Sequence, residues 1–410
     1  MLRFKKAAVL ALLGAVLAVV LAACGGDDPT ATPRPTNTPA PEPTPTATLA
    51  PGVPTPTPAP PTPTRAAPTA TPTPSFDAEA YFKGKTIRLM VGYNPGGGTD
   101  SQGRFMSRHL PKFIPGNPRM IVTNMTPNLS QRNFVWNQDG DGLIFSLEAT
   151  AGIFDQINDL ADWDMREVSM IAVTSGKDAI WMVWNTVPYK CGPDAHGGDH
   201  QLVLGTSAPT PADLGSQIAP AWYADTFRIP LKIRNLASAG SAEQYIMIER
   251  GDTNSWYTST VWGQMPRKRP GWVSSGTIRA FMDMSFPGYR LQGNEEQPEF
   301  PCPNVEELLT TDAQKSIWAS ITGPRTYASK NLIGPPGMDP NVLKALRDAV
   351  TAAMNDEKFV ADMEAFTGIT SNFTPGEQAQ KELIETTNSF LDNKATIDAI
   401  QADIFEKYVK

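Results

Sequence analysis

The run Gly92-Tyr93-Asn94-Pro95-Gly96-Gly97-Gly98-Thr99-Asp100 constrains this chain more than any other feature. An apolar stretch, Thr86 to Val91, precedes it, and a helical pattern from Gln102 to Leu110 follows. Strand, glycine loop and helix in that order are the building unit of an α/β fold. Successive glycines let backbone come very close to a guest. The helix start adds unpaired N–H groups and the positive end of the helix dipole. The unit therefore reads as a small anion seat with no positive side chain of its own, and a carboxylate suits it. A tight strand-to-helix connection without any ligand carries the same signature, because a lone glycine loop is weak evidence.

The N-terminus bears on location. Arg3, Lys5 and Lys6 form a positive segment, Ala7 to Ala23 is apolar, and Leu21-Ala22-Ala23-Cys24-Gly25 reads as a lipobox. Residues 1–23 are thus predicted to be a signal peptide, with Cys24 the lipidated first residue of the mature chain. A single membrane-spanning helix is the competing reading, and about 17 apolar residues is at the low end for a span. Cleavage before Cys24 removes three positive charges and no acid, taking the formal charge from −7 to −10. So acidic a chain is a poor partner for nucleic acid. Residues 24–75 are rich in Pro, Thr and Ala, with runs such as Pro54-Thr55-Pro56-Thr57-Pro58. Such a composition cannot bury a core and reads as a tether biased to polyproline II. At about 3.1 Å per residue, some 45 residues would reach roughly 140 Å when fully extended.

About 335 residues remain, more than one core usually serves, so two lobes are expected. Short apolar runs alternate with helical stretches: Arg119–Thr123 and Ser130–Trp136, then Leu143–Leu147, Val168–Val173 and Ile180–Trp184. A second cycle starts at Gln201–Gly205, with strand Leu231–Asn235 and helix Ala242–Glu249. Asp339-Pro340 opens a helix as N-cap and first-turn proline. The expectation is an α/β fold with mostly parallel sheets: lobe 1 from 76–173 and 319–410, lobe 2 from 174–318. In open α/β sheets ligands bind at strand-end loops. That places Asn124, Ala149, Thr150 and Ser207 beside the glycine loop as candidate contacts, although ordinary turn chemistry would explain them equally. Asp100 is a candidate contact or a helix cap.

Other motifs carry less. Cys191, His196 and His200 with Asp194 and Asp199 resemble a metal cluster, but the spacing fits no standard zinc motif. Cys302 is the remaining mature cysteine, and an oxidising compartment favours a Cys191–Cys302 disulfide over a metal. Thr174-Ser175-Gly176-Lys177 lacks the first glycine and the final Ser/Thr of a phosphate loop. Trp256, Tyr257 and Trp262 suit packing better than ligand stacking. With His 3 in the whole chain and no Gly-x-Ser-x-Gly, a hydrolase has little to work with, and no catalytic residue, metal or cofactor is assigned.

An ordered set of segments resembles the Bug-type receptors, the extracytoplasmic solute receptors of tripartite tricarboxylate transporters. It begins with Lys85-Thr86-Ile87 and the loop from Gly92 to Asp100. Pro115-Gly116-Asn117-Pro118, Asp141-Gly142, Gly205-Thr206-Ser207, Glu249-Arg250-Gly251-Asp252 and Ser275-Gly276-Thr277-Ile278-Arg279 follow in order. Pro335-Pro336-Gly337-Met338-Asp339-Pro340 closes the set. One departure stands out: after Asn124 the chain reads Met125-Thr126-Pro127-Asn128-Leu129-Ser130, where the family has a glycine-rich loop. The resemblance implies a two-lobed, Venus-flytrap receptor of the periplasmic-binding-protein type. It would close on a small organic carboxylate through Tyr93, Asn94, Pro95, Gly96, Gly97, Gly98, Thr99 and Asp100, and pass it to membrane transporter subunits. A monomer is expected, outside the cytoplasmic membrane. A receptor serving a signalling system would have the same sequence.

Overall fold

The computed structural model describes residues 76–410 except 149–151, 176–177, 207–213, 216, 237–239, 260, 286–287 and 324–329. All of them lie in the compact unit Pro72–Lys410. The predicted signal peptide, Cys24 and the tether lie outside the described residues, as do Ala149, Thr150 and Ser207.

The first sheet has six strands. β1 (Thr86–Val91) pairs in parallel with β2 (Arg119–Asn124) and with β3 (Ile144–Glu148). Its apolar residues fill the core, with Ile87, Leu89 and Val91 fully buried. β4 (Ser169–Ser175) belongs to the same sheet. The chain then crosses to a second region of sheet. There β5 (Ile180–Trp184) lies between β8 (Ser255–Thr258) and β9 (Ile278–Asp283), antiparallel to both. Beside them β6 (Leu202–Thr206) and β7 (Leu231–Asn235) form a parallel pair. The return is β10 (Asn331–Gly334), which enters the first sheet antiparallel between β3 and β4. β11 (Ser371–Pro375) completes its edge on β4. The order is β11-β4-β10-β3-β1-β2.

The two-lobed α/β architecture is as expected, but the expected mostly parallel pairing holds only within the βαβ units. Crossovers through helices keep strands parallel. Where the chain returns from the other lobe it enters from the opposite end, and β10 and β11 run antiparallel. The helix Pro340–Met354 starts at the N-cap Asp339, whose carboxylate accepts from Asn341 and Val342 N–H. Val342, Leu346 and Val350 bury its inner face against the first sheet.

Cys191 and Cys302 are bonded, 5.5 Å apart at Cα and 111 residues apart in sequence. The neighbouring histidines serve packing: His196 stacks 4.2 Å from Phe227, and its Nε2 is 2.7 Å from the Tyr223 hydroxyl. No cluster of metal-ligating side chains occurs among the described residues. Closing about 100 residues is worth up to about 4.7 kcal/mol in the chain-entropy treatment. Cys191→Ser with Cys302→Ser should therefore unfold at a clearly lower denaturant concentration, and unreduced denatured protein should show neither thiol free. An unchanged midpoint would mean the crosslink does not restrain the chain.

Candidate functional site

The site forms where β1 ends. The helix starts earlier than the sequence pattern suggests, at Gly98 rather than Gln102, and runs to His109 with Gly97 as N-cap. Two of the glycines thus shape the helix entry itself. Gly96 has φ +92°, a conformation that only glycine adopts without strain. The first N–H groups of any helix have no partner within it, so Gly98 and Thr99 present theirs at the loop.

Asp100 lies inside the helix rather than at its N-cap, which is Gly97, and both its carboxylate oxygens are hydrogen-bonded within the protein. It is 2 % exposed, and its Oδ2 accepts from the Gly96 N–H at 2.9 Å and from Arg104 Nε at 2.9 Å. Its Oδ1 accepts from Asn124 Nδ2 at 3.0 Å. Asn124 also donates to the Tyr93 carbonyl at 2.8 Å. The predicted residues Tyr93, Gly96, Asp100 and Asn124 are therefore one hydrogen-bonded unit. The Gly96 amide, expected to face a guest, is taken by Asp100. Burial alone would push the Asp100 carboxyl up, but the bonds from Arg104, Gly96 and Asn124 outweigh it and hold the carboxyl below the ordinary range.

That depression has a sign. A carboxylate with a folded pKa below its unfolded value adds stability above the unfolded pKa of about 3.9 and loses it as pH falls through the folded value. Asp100→Asn should thus be less stable than wild type at neutral pH, with the gap narrowing below about pH 4. Chemical denaturation at pH 7 and pH 3 measures it, and an equal gap at both would show that Asp100 is not held as its anion.

The second lobe closes over the loop with side chains that no sequence motif marks. Asn94 Nδ2 donates to Glu243 Oε1 at 2.6 Å, from the first turn of the helix Ser241–Glu249. Lys268 Nζ donates to the Gly96 carbonyl at 3.2 Å. The buried Gln264 lies so close to Gly98 that a Cβ there would stand 2.5 Å from its Nε2. A side chain on Gly263 would run into the carbonyl oxygen of Gly368, so bare backbone meets bare backbone there. The anion seat, read as free of positive side chains, thus has one from the opposite lobe at its rim. Trp256, Tyr257 and Trp262 are buried in the second lobe, as packing requires.

Behind the loop lies a buried charge cluster. Arg132 Nε donates to Glu148 Oε2 at 2.7 Å, and the same guanidinium pairs with Asp155. Ser146 Oγ donates to Glu148 Oε1 at 3.0 Å. Burial works against the charge on Arg132, but Glu148 and Asp155 overcome it and raise its pKa. Arg132 stands on the helix Asn128–Trp136, which follows the glycine-free stretch after Asn124. Lys330, just before β10, is buried as well, and burial pushes it down to about 8, opposed by Asp178.

No family model and no curated protein matches the chain. Solved structures do, the following at low identity. BugD, a periplasmic binding protein, is 13% identical, with a TM-score of 0.56 over 76% of this chain and 97% of its own. An R. palustris protein solved with adipate is 16% identical, with a TM-score of 0.55 over 77% and 97%. MatC from Rhodopseudomonas palustris, solved with malate, is 13% identical, with a TM-score of 0.54 over 77% and 99%. The chain accordingly has the two-lobed fold of the Bug-type periplasmic solute-binding proteins.

Proposed function

We propose that this protein is an extracytoplasmic receptor that closes its two lobes on a small organic carboxylate and delivers it to a membrane transporter. The observation that carries the reading is the direction of Gly97. Among the described residues, a Cβ built on it meets only the Asn94 carbonyl oxygen, at 3.8 Å, although the residue itself is buried. There is room for a guest directly over the first amides of the helix Gly98–His109. A carboxylate there receives charge-assisted hydrogen bonds and the helix dipole. Structures of the same fold solved with adipate and with malate support the ligand class. Ala149, Thr150 and Ser207 are proposed as further contacts. Among the described residues no helix is long and apolar enough to cross a membrane, and the lipobox at Cys24 supplies the proposed attachment.

Mass spectrometry of solute released from the purified protein, followed by calorimetry, tests the reading. A carboxylate is expected, and its amide should bind at least about tenfold more weakly. A neutral solute, or an amide that binds as well as the acid, would overturn it.

A further inference from the structure

Glu243 brings a carboxylate to a seat otherwise suited to an anion. Its Oε1 takes the 2.6 Å bond from Asn94, in the same loop that forms the seat. Its Oε2 is shielded from solvent and has no hydrogen-bond partner. No ion pair involves Glu243 among the described residues, whereas Asp100 has Arg104 and Glu148 has Arg132. A desolvated, unpartnered carboxylate oxygen is unfavourable. A cation or strong donor arriving with the ligand would relieve it, and a second ligand carboxylate would aggravate it.

Resting on the carboxylate reading above, we infer that Glu243 recognises an ammonium group and that the solute is an amino carboxylate. Its carboxylate lies on the amides at the start of the helix Gly98–His109, and its ammonium donates to Glu243 Oε2. The two ends of one small zwitterion are then read by opposite lobes, the carboxylate by the first and the ammonium by the second. Closure brings Glu243 to the ligand, so discrimination and closure are one event. A site built around a buried polar group rejects an analogue that leaves it unpaired.

The test pairs each proteinogenic α-amino acid with its des-amino acid, for example L-glutamate with glutarate and L-leucine with 4-methylpentanoate. Binding of each to the full-length protein is measured by calorimetry, in wild type and in Glu243→Gln. At least one amino acid should bind ten-fold or more tightly than its des-amino partner. Glu243→Gln should erase that ratio by weakening the amino acid alone. A residue that only ties Asn94 across the cleft would weaken both members alike, and that result would overturn the inference. Carboxylates bound without regard to the amine would also overturn it while leaving the receptor reading standing. Failure of every carboxylate to bind would overturn both.

Discussion

Gly97→Val is expected to lose at least about 100-fold in solute affinity while melting within about 2 °C of wild type. The reasoning rests on three adjacent glycines that differ in kind. Gly96, at φ +92°, is needed by the backbone. Gly98 is needed by packing, since a Cβ there would press on Gln264. Gly97 is needed by neither. Its φ of −74° and ψ of 172° suit any residue, and its side-chain direction meets no atom of the described residues closer than 3.8 Å. A valine there folds without strain but fills the space over the helix amides. Gly98→Ala provides the contrast, because it should disturb the lobe contact at Gln264. Should Gly97→Val bind the native solute as tightly as wild type, the seat lies elsewhere.

Arg132→Met should destabilise the fold by about 3–5 kcal/mol, the range for breaking a buried ion pair from one side. The arginine is the cation for two carboxylates, Glu148 and Asp155, and Glu148 is only 4 % exposed. Methionine matches much of the stem but leaves Glu148 with the Ser146 hydroxyl as its remaining donor. Adding Glu148→Leu should recover part of the loss, since the stranded charge goes with it. Urea denaturation of the two variants decides the matter. A loss below about 1 kcal/mol in the single variant would mean that water reaches the carboxylates.

Much of the first lobe was legible because local pattern and tertiary environment agree there. The apolar run Thr86–Val91 is a buried strand, and Asp339-Pro340 caps a helix whose inner positions are apolar. β5 and β7 match their predicted bounds. The pattern failed where packing relies on few or polar residues. β10 is four residues long and begins with the polar Asn331. The helix Lys394–Tyr408 buries Gln401 among Ile397, Ile404 and Phe405, which blurs its apolar stripe. The site divides the same way. That Tyr93, Gly96, Asp100 and Asn124 belong together was readable from the glycines and strand ends. Glu243 and Lys268 were not, because they reach the loop from 149 and 172 residues away, and no local spacing encodes such a contact.

The Asp100 clasp has a kinetic consequence. Because the chain's own carboxylate already ties Gly96, Arg104 and Asn124, the loop holds its shape before any guest arrives. Under the proposed function, a solute meeting it would not have to organise that backbone, so little entropy would be lost in ordering the loop. Capture on the proposed reading would then proceed near the encounter rate, and closure of the second lobe would be the slower event. On the same reading, residence time follows from the contacts that Gln264, Lys268 and Glu243 make across the gap, since the loop itself has nothing left to rearrange.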